Sequence, residues 1–449
     1  MPIVSTDSGL LSLIAFTMVA TFMTLIMTKR MSAINALILV PTAFALLAGF
    51  TVGLGDMMMA GVKELAPTGV MLVFAILYFG LMIDAGLFDP LIRGIVRLVH
   101  GDPVRIMIGT AILALVVSLD GDGATTYMIT TAAMLPLYRH LKMDVRMLAC
   151  IVIMSGGVMN LLPWGGPTAR VISALKLDAG DVFVPLILPM VATAMWVLFV
   201  AYRFGVKERE RLAALPPEAI DEDASGATIV QEDAGPDVVA RRPRLIWFNL
   251  TLTVALMVAL VMGLLPLAVL FMLAYAVAMM VNFPSVADQR DRLAAHAGNA
   301  LAVAGLIFAA GIFTGILSGT HMVDAMATTV TSNIPPALGP YLAPITALIS
   351  APFTFFISND AFYFGMLPIL AQAGAQYGIS PEQMGRAALV GQQVHLLSPL
   401  VASTFLLVGF VGIELGEHQR FTLKWALGSF FIFFAAALLL GVFPFYSAP

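Results

Sequence analysis

Apolar runs of about 20 residues recur along the chain, each bounded by a short polar stretch, and they fall into two sets of six. The first set lies near 8–28, 33–54, 67–88, 103–138, 145–177 and 182–205, and the second near 245–263, 265–283, 297–318, 335–377, 383–411 and 424–445. Runs of that length suit a hydrocarbon core about 30 Å thick, so the pattern predicts an all-α polytopic membrane protein. Residues 206–244, between the sets, are charged and rich in Pro, Asp, Glu and Ala, which predicts a flexible linker. The halves are thus 1–205 and 245–449, joined as one domain.

The fourth and tenth runs are too long for one crossing, and each carries a polar turn near its middle. The first turn is Ser118-Leu119-Asp120-Gly121-Asp122-Gly123-Ala124-Thr125-Thr126; the second is Ile357-Ser358-Asn359-Asp360-Ala361. The arms beside each turn have about 15–17 residues, at or below the lower limit of a full span. They predict re-entrant helical hairpins, a backbone tolerated at membrane depth only inside protein or beside a cavity. Each half then has five spanning helices and one hairpin (103–138 and 335–377). An odd number of crossings makes the halves inverted repeats.

Charge orients this arrangement. With both termini outside and the linker in the cytoplasm, nineteen of the 23 basic residues fall on the cytoplasmic side. The exceptions are Lys63, Arg170, Lys176 and Arg386. That bias is the positive-inside pattern. The first apolar run has no basic residue before it and Lys29-Arg30 after it, the reverse of a cleavable signal peptide. The expected location is the cytoplasmic (inner) membrane.

Composition sharpens the class. Sixty per cent of residues are hydrophobic, 11% are charged and the mean hydropathy is +0.96. A soluble domain carries about 25% charged residues. The single cysteine, Cys150, excludes an internal disulfide and a cysteine metal cluster.

The candidate chemistry sits in four interruptions. Carboxylates at membrane depth are costly and mark ion or substrate paths. Asp120 and Asp122 occupy the first tip, where Gly121 and Gly123 allow a tight turn, and Thr125 and Thr126 open the next half-helix, whose N-terminus favours an anion. The bland reading is a loop of helix caps. Ser358, Asn359 and Asp360 form the second tip, where Ser and Asn also read as N-caps. The fifth run breaks at Asn160-Leu161-Leu162-Pro163-Trp164-Gly165-Gly166-Pro167-Thr168-Ala169-Arg170, since two prolines cannot continue a regular helix. Arg170 there either clamps a carboxylate or snorkels to the outer interface, and Trp164 either lines the site or packs. The eleventh run has a softer break with Gln392, Gln393, His395, Ser398, Ser403 and Thr404. His395 is either a proton carrier or a structural hydrogen-bonder. Asp84 lies near a helix end and reads as solvated. No residue is assigned a catalytic role.

Leu72–Pro90, Ser118–Tyr138, Asn160–Leu177, Thr28-Lys29-Arg30 and the Ser358-Asn359-Asp360 turn together resemble the citrate–divalent-metal/proton symporter family of the ion-transporter superfamily. The resemblance covers nearly the whole chain. It implies a secondary transporter importing citrate complexed with Mg²⁺, Ca²⁺ or a related divalent ion, with protons, by alternating access. It implies a central site at the two tips and two breaks, with Asp120, Asp122, Asp360 and His395 as proton-coupling candidates. Asp120, Asp122 and Asp360 would complete the metal's oxygen shell within the metal–citrate site. It implies no resident cofactor, and it suggests a homodimer. The competing classes are an Na⁺- or H⁺-coupled carrier of a free dicarboxylate or inorganic anion, a passive channel, and a membrane-embedded hydrolase built on Ser358, Asp360 and His395.

Overall fold

A computed structural model describes residues 8–99, 101–121, 123–214, 240–333, 335 and 337–447. Asp122 and most of the expected linker lie outside the described residues. The first half runs α1 (Ser8–Met27), α2 (Ala33–Leu47), α3 (Leu54–Asp84), α4 (Asp89–Val99), α5 (Pro103–Val117), α6 (Gly123–His140), α7 (Val145–Met159), α8 (Gly166–Leu175), the short α9 (Ala179–Phe183) and α10 (Ile187–Ala213). The second runs α11 (Ile246–Val261), α12 (Leu267–Asn282), α13 (Val286–Gly319), α14 (Met322–Asn333), α15 (Leu342–Phe356), α16 (Leu367–Ala375), α17 (Pro381–Leu389), α18 (Gln392–His395), α19 (Ala402–Val411) and α20 (Leu415–Leu439). No strand occurs among the described residues, and eight of their helical stretches are long and apolar enough to cross a membrane. The order repeats: two entry helices, one long helix, one short helix, two helices around a polar turn, a broken helix and a closing helix.

The long helices depart from expectation. Residues 55–66, left between the expected second and third runs, belong to the start of α3, and α13 begins at Val286 rather than near 297. Pro67 argues for a boundary, yet it sits inside α3. Membrane helices tolerate such prolines because neighbours re-satisfy the freed carbonyl. The N-terminus of α3 is instead set by Gly53, whose φ of +79° ends the preceding loop.

Helices α3 and α13 pack antiparallel, with Gly61 against Gly311 and Gly315 at one end and Asp84 beside Arg292 and His296 at the other. Gly311, Gly315 and Gly319 recur every fourth residue, and a side chain at Gly61 or Gly315 would strike the partner's backbone. Such small-residue seams let membrane helices approach closely.

At the opposite end, polar contacts tie the loops down. The chain re-enters the described region at Ala240, which is buried. Arg241 pairs with Asp89, and the Arg242 N–H donates to Ala85 O at 3.0 Å. The Arg242 guanidinium donates to Asn282 O (2.8 Å) and lies 4.6 Å from the centre of the Phe283 ring. Asp144 caps α7, accepting from the Arg146 N–H at 2.9 Å, while buried Glu208 accepts the Asp144 N–H at 3.1 Å. Burial works to raise the Asp144 carboxyl, but hydrogen bonds from the Arg146 side chain and backbone outweigh it and hold that carboxyl below the usual range.

Candidate functional site

The first tip is a 3₁₀ turn, Ser118–Asp120, closed by Gly121 at φ +77°. Asp120 is buried, only 7% exposed. Trp164, from the break between α7 and α8, donates its indole N–H to Leu119 O at 2.9 Å. A side chain at Gly121 would come within 2.8 Å of the same indole. Trp164 also stacks on Phe79 at 5.2 Å and meets Phe271 edge-on at 5.0 Å. The tip, the first break, α3 and α12 are thereby packed together.

That break covers residues 160–165. Asn160 ends α7, Gly165 turns back over the Asn160 carbonyl, and Gly166 and Pro167 begin α8. The Thr168 hydroxyl donates across the gap to Leu161 O at 2.9 Å. The second break mirrors this device: Thr404 on α19 donates to Leu396 O at 2.5 Å. Each break exposes backbone carbonyls and then re-satisfies one with a threonine from the far arm.

The second tip behaves differently. Ser358 Oγ accepts the Ala361 N–H at 3.2 Å, an N-cap, and Asn359 Oδ1 accepts from Gln392 at 3.1 Å. Gln392 also donates to the Tyr363 hydroxyl at 2.7 Å. Residues Ala361–Met366 widen into a π-helix, which the sequence reading missed. Pro368, which has no N–H to return to Phe364, follows it in the next helix. His395 Nδ1 lies 2.6 Å from Thr354 O, and Ser398 donates to Phe355 O at 2.6 Å. Ser358, His395 and Ser398 are thus bonded to backbone of their own half.

Near the tips and breaks the two halves also touch. Gln393 donates to Gly157 O at 3.3 Å, and Ser403 sits against Gly123. Most telling is Arg170 on α8, whose Nε lies 2.6 Å from Asp360 Oδ1, while its Nη1 donates to Gly166 O at 3.0 Å. Arg170 does not snorkel outward; it faces the second tip.

A cavity of about 1020 Å³ reaches this junction. Its inner wall carries Asp120, Gly121, Thr125, Trp164, Gly166 and Arg170. Its mouth carries Asp84, Asp89, Arg93, Arg97, Arg241 and His296. Of the residues predicted from sequence, Gly123, Thr126, Asn160, Gly165, Thr168, Ser358, Asn359, Asp360, Gln393, His395, Ser398, Ser403 and Thr404 stand behind that wall rather than in it. Asp360 reaches it through Arg170. Among the described residues, no three His, Cys, Asp or Glu side chains converge to hold a metal ion alone.

One polar turn and one broken helix thus line the cavity, and the second pair stands behind them. The family model described as "Citrate transporter" matches residues 13–391. The chain belongs to the citrate transporter family. This family member is 58% identical to a Bacillus subtilis (strain 168) protein named "Citrate transporter", over 97% of its own length and all of the relative's. It is 48% identical to a "Mg(2+)/citrate complex secondary transporter" of the same organism, over 96% and 99% of the two chains. Its fold is like that of two solved transporters at 15% identity: YdaH of Alcanivorax borkumensis (TM-score 0.55, 86% of each chain) and MtrF of Neisseria gonorrhoeae (TM-score 0.59, 87% and 84%). The citrate transporter reading excludes the hydrolase class: the protein is a secondary transporter, not an enzyme.

Within this citrate transporter, the sequence reading of Asp84 needs correction. The carboxylate is buried, 5% exposed, and bonds Arg292 at 3.2 Å and His296 at 2.8 Å. It lies near a helix end, but α13 extends a full turn and more past the expected boundary and covers it. His296 on that extension and Asn299 just inside the expected run also line the cavity; neither was singled out, and for His296 the reason is that the early start of α13 carries no apolar signal.

Proposed function

We propose that this citrate transporter imports citrate chelated to a divalent metal ion, in symport with protons. The Arg170–Asp360 pair at the inner wall carries the reading. A guanidinium beside a cavity suits a carboxylate of the substrate, but here its Nε is taken by Asp360. A proton arriving on Asp360 removes that competitor and frees the fork for citrate. Proton and substrate then bind together, and neither alone satisfies the junction, which is the requirement of symport.

The metal belongs to the cargo. Chelation removes most of the charge of citrate and lowers the cost of taking it out of water. A hard cation needs several oxygen ligands. With no ready-made cage among the described residues, citrate supplies most of them. Asp120 then completes the shell, while Gly121 and Thr125 present the tip to the anion.

The cavity opens among Arg93, Arg97 and Arg241, the end that carries most basic residues. By the positive-inside pattern that end is cytoplasmic, so the state is inward-open, and both termini lie outside. The two halves then serve as inverted repeats, exchanging roles as the cavity closes on one side and opens on the other.

Labelled citrate uptake into Na⁺-free proteoliposomes with an inward proton gradient tests this. Uptake should require Mg²⁺, Ca²⁺ or a heavier divalent ion and collapse with a protonophore. Uptake that ignores the metal, or that needs Na⁺, overturns it in favour of a free-carboxylate carrier.

A further inference from the structure

The cavity mouth holds two arginines that the central site does not use. Arg93 and Arg97 stand one turn apart on α4, both line the cavity, and both are exposed. The carboxylates around them are already matched. Asp89 is paired with Arg241, and Asp84 with Arg292 and His296. Among the described residues, neither Arg93 nor Arg97 has an ion pair or a side-chain hydrogen bond. Like charges four residues apart destabilise a helix slightly, so the pair carries a small cost that an anion between them would reverse.

We propose that Arg93 and Arg97 form a second anion subsite, which takes two carboxylates of a polycarboxylate at the cavity mouth. This rests on the reading of the protein as a citrate carrier. Their Cβ atoms are about 5–6 Å apart by helix geometry, and two planar forks at that spacing suit neighbouring carboxylates of one small acid. The subsite favours the metal-free trianion. In the chelate, the carboxylate oxygens are already turned to the metal and most of the charge is gone. The inner wall and the mouth therefore rank the two forms of citrate in opposite order. Cargo that loses its metal on leaving the inner wall is held at the mouth, and free citrate from the same side occupies the mouth and slows the exit of the next load.

Equilibrium binding of labelled citrate to the purified full-length protein tests this, in metal-free buffer (prepared on chelating resin) and with excess Mg²⁺. The R93Q/R97Q double variant is compared with wild type after both pass size exclusion as folded protein. Wild type should show a metal-independent component that weakens at least tenfold as salt is raised. The double variant should lose that component at least tenfold and keep the Mg²⁺-dependent one. R93K/R97K should fall between, because charge remains and the fork is gone. No metal-independent binding in wild type, or equal binding in the double variant, overturns the subsite. So does a variant that differs from wild type only in its response to phosphatidylglycerol, which assigns the arginines to lipid headgroups. Absence of the Mg²⁺-dependent component alone sinks the metal–citrate reading and leaves the subsite judged by its own arm.

Discussion

The two halves repeat one order of elements yet expose it differently. In the first half the tip and the break face the cavity: Asp120, Gly121 and Thr125 on one side, Trp164, Gly166 and Arg170 on the other. In the second half the equivalent polar groups bond inward, Ser358 to Ala361, His395 to Thr354, and Ser398 to Phe355. Repetition of backbone thus gives one cavity-lining face, which we propose does the work, and one bracing frame, joined by the Arg170–Asp360 pair. If the halves exchange roles during transport, the contrast belongs to this state. If it is built in, it survives in every state.

The joint should show the largest effect. Removing one partner of a buried charge pair costs about 3–5 kcal/mol. Arg170→Gln leaves Asp360 alone, and citrate uptake in proteoliposomes should fall about 100-fold, just under that range because both groups keep some water contact. Arg170→Lys should not restore it, since an ammonium lacks the fork. R170Q/D360N should regain thermal stability without regaining uptake; a double variant that transports normally removes the pair from the mechanism.

On the working face, Gly121→Ala should come next. The residue sits at φ +77° and its new methyl group meets Trp164. We expect about a tenfold loss of uptake, from a backbone cost of about 1–2 kcal/mol, with the protein still folded by size exclusion.

The bracing frame should answer in stability instead. Thr404→Val removes the hydroxyl that spans the second break, and should lower the melting temperature by the equivalent of about 1 kcal/mol while leaving the KM for citrate unchanged. A raised KM with an unchanged melting temperature would place Thr404 on the working face.

The smallest effect lies far from both. Asp144→Asn should cost about 1 kcal/mol or less. The folded carboxyl is held below its usual range, so its contribution is present above about pH 4 and is lost as the pH falls further. Melting curves of wild type and variant should therefore stay apart at neutral pH and converge below about pH 4.

Much of this was legible beforehand. Both polar turns, each with a helix on either side, follow from the polar residues inside overlong apolar runs, and the first break follows from Pro163 and Pro167. Those signals are strong because backbone that leaves the helix at membrane depth demands Gly, Pro and polar residues. What escaped was set by packing between distant segments. Pro67 and the polar start of α13 look like helix ends, and only the Gly61–Gly311–Gly315 seam explains why both helices run on. Arg170 reads from sequence as a clamp or a snorkel, and nothing there shows that Asp360, 190 residues away, holds it. Asp84 looked solvated because His296 and Arg292 are invisible from α3. The widened turn at Ala361–Met366 is a backbone choice that no residue count distinguishes from an ordinary helix.

Trp164 has a further use. Of the four tryptophans, Trp196 and Trp425 face one another with ring centres 6.4 Å apart, away from the cavity, and Trp247 is largely exposed. Only Trp164 among them lines the cavity. Its emission is therefore a built-in optical gauge of occupancy, one that needs no dye and no label. In a W196F/W247F/W425F background, each arrival of cargo can be timed by stopped flow from the light of a single ring.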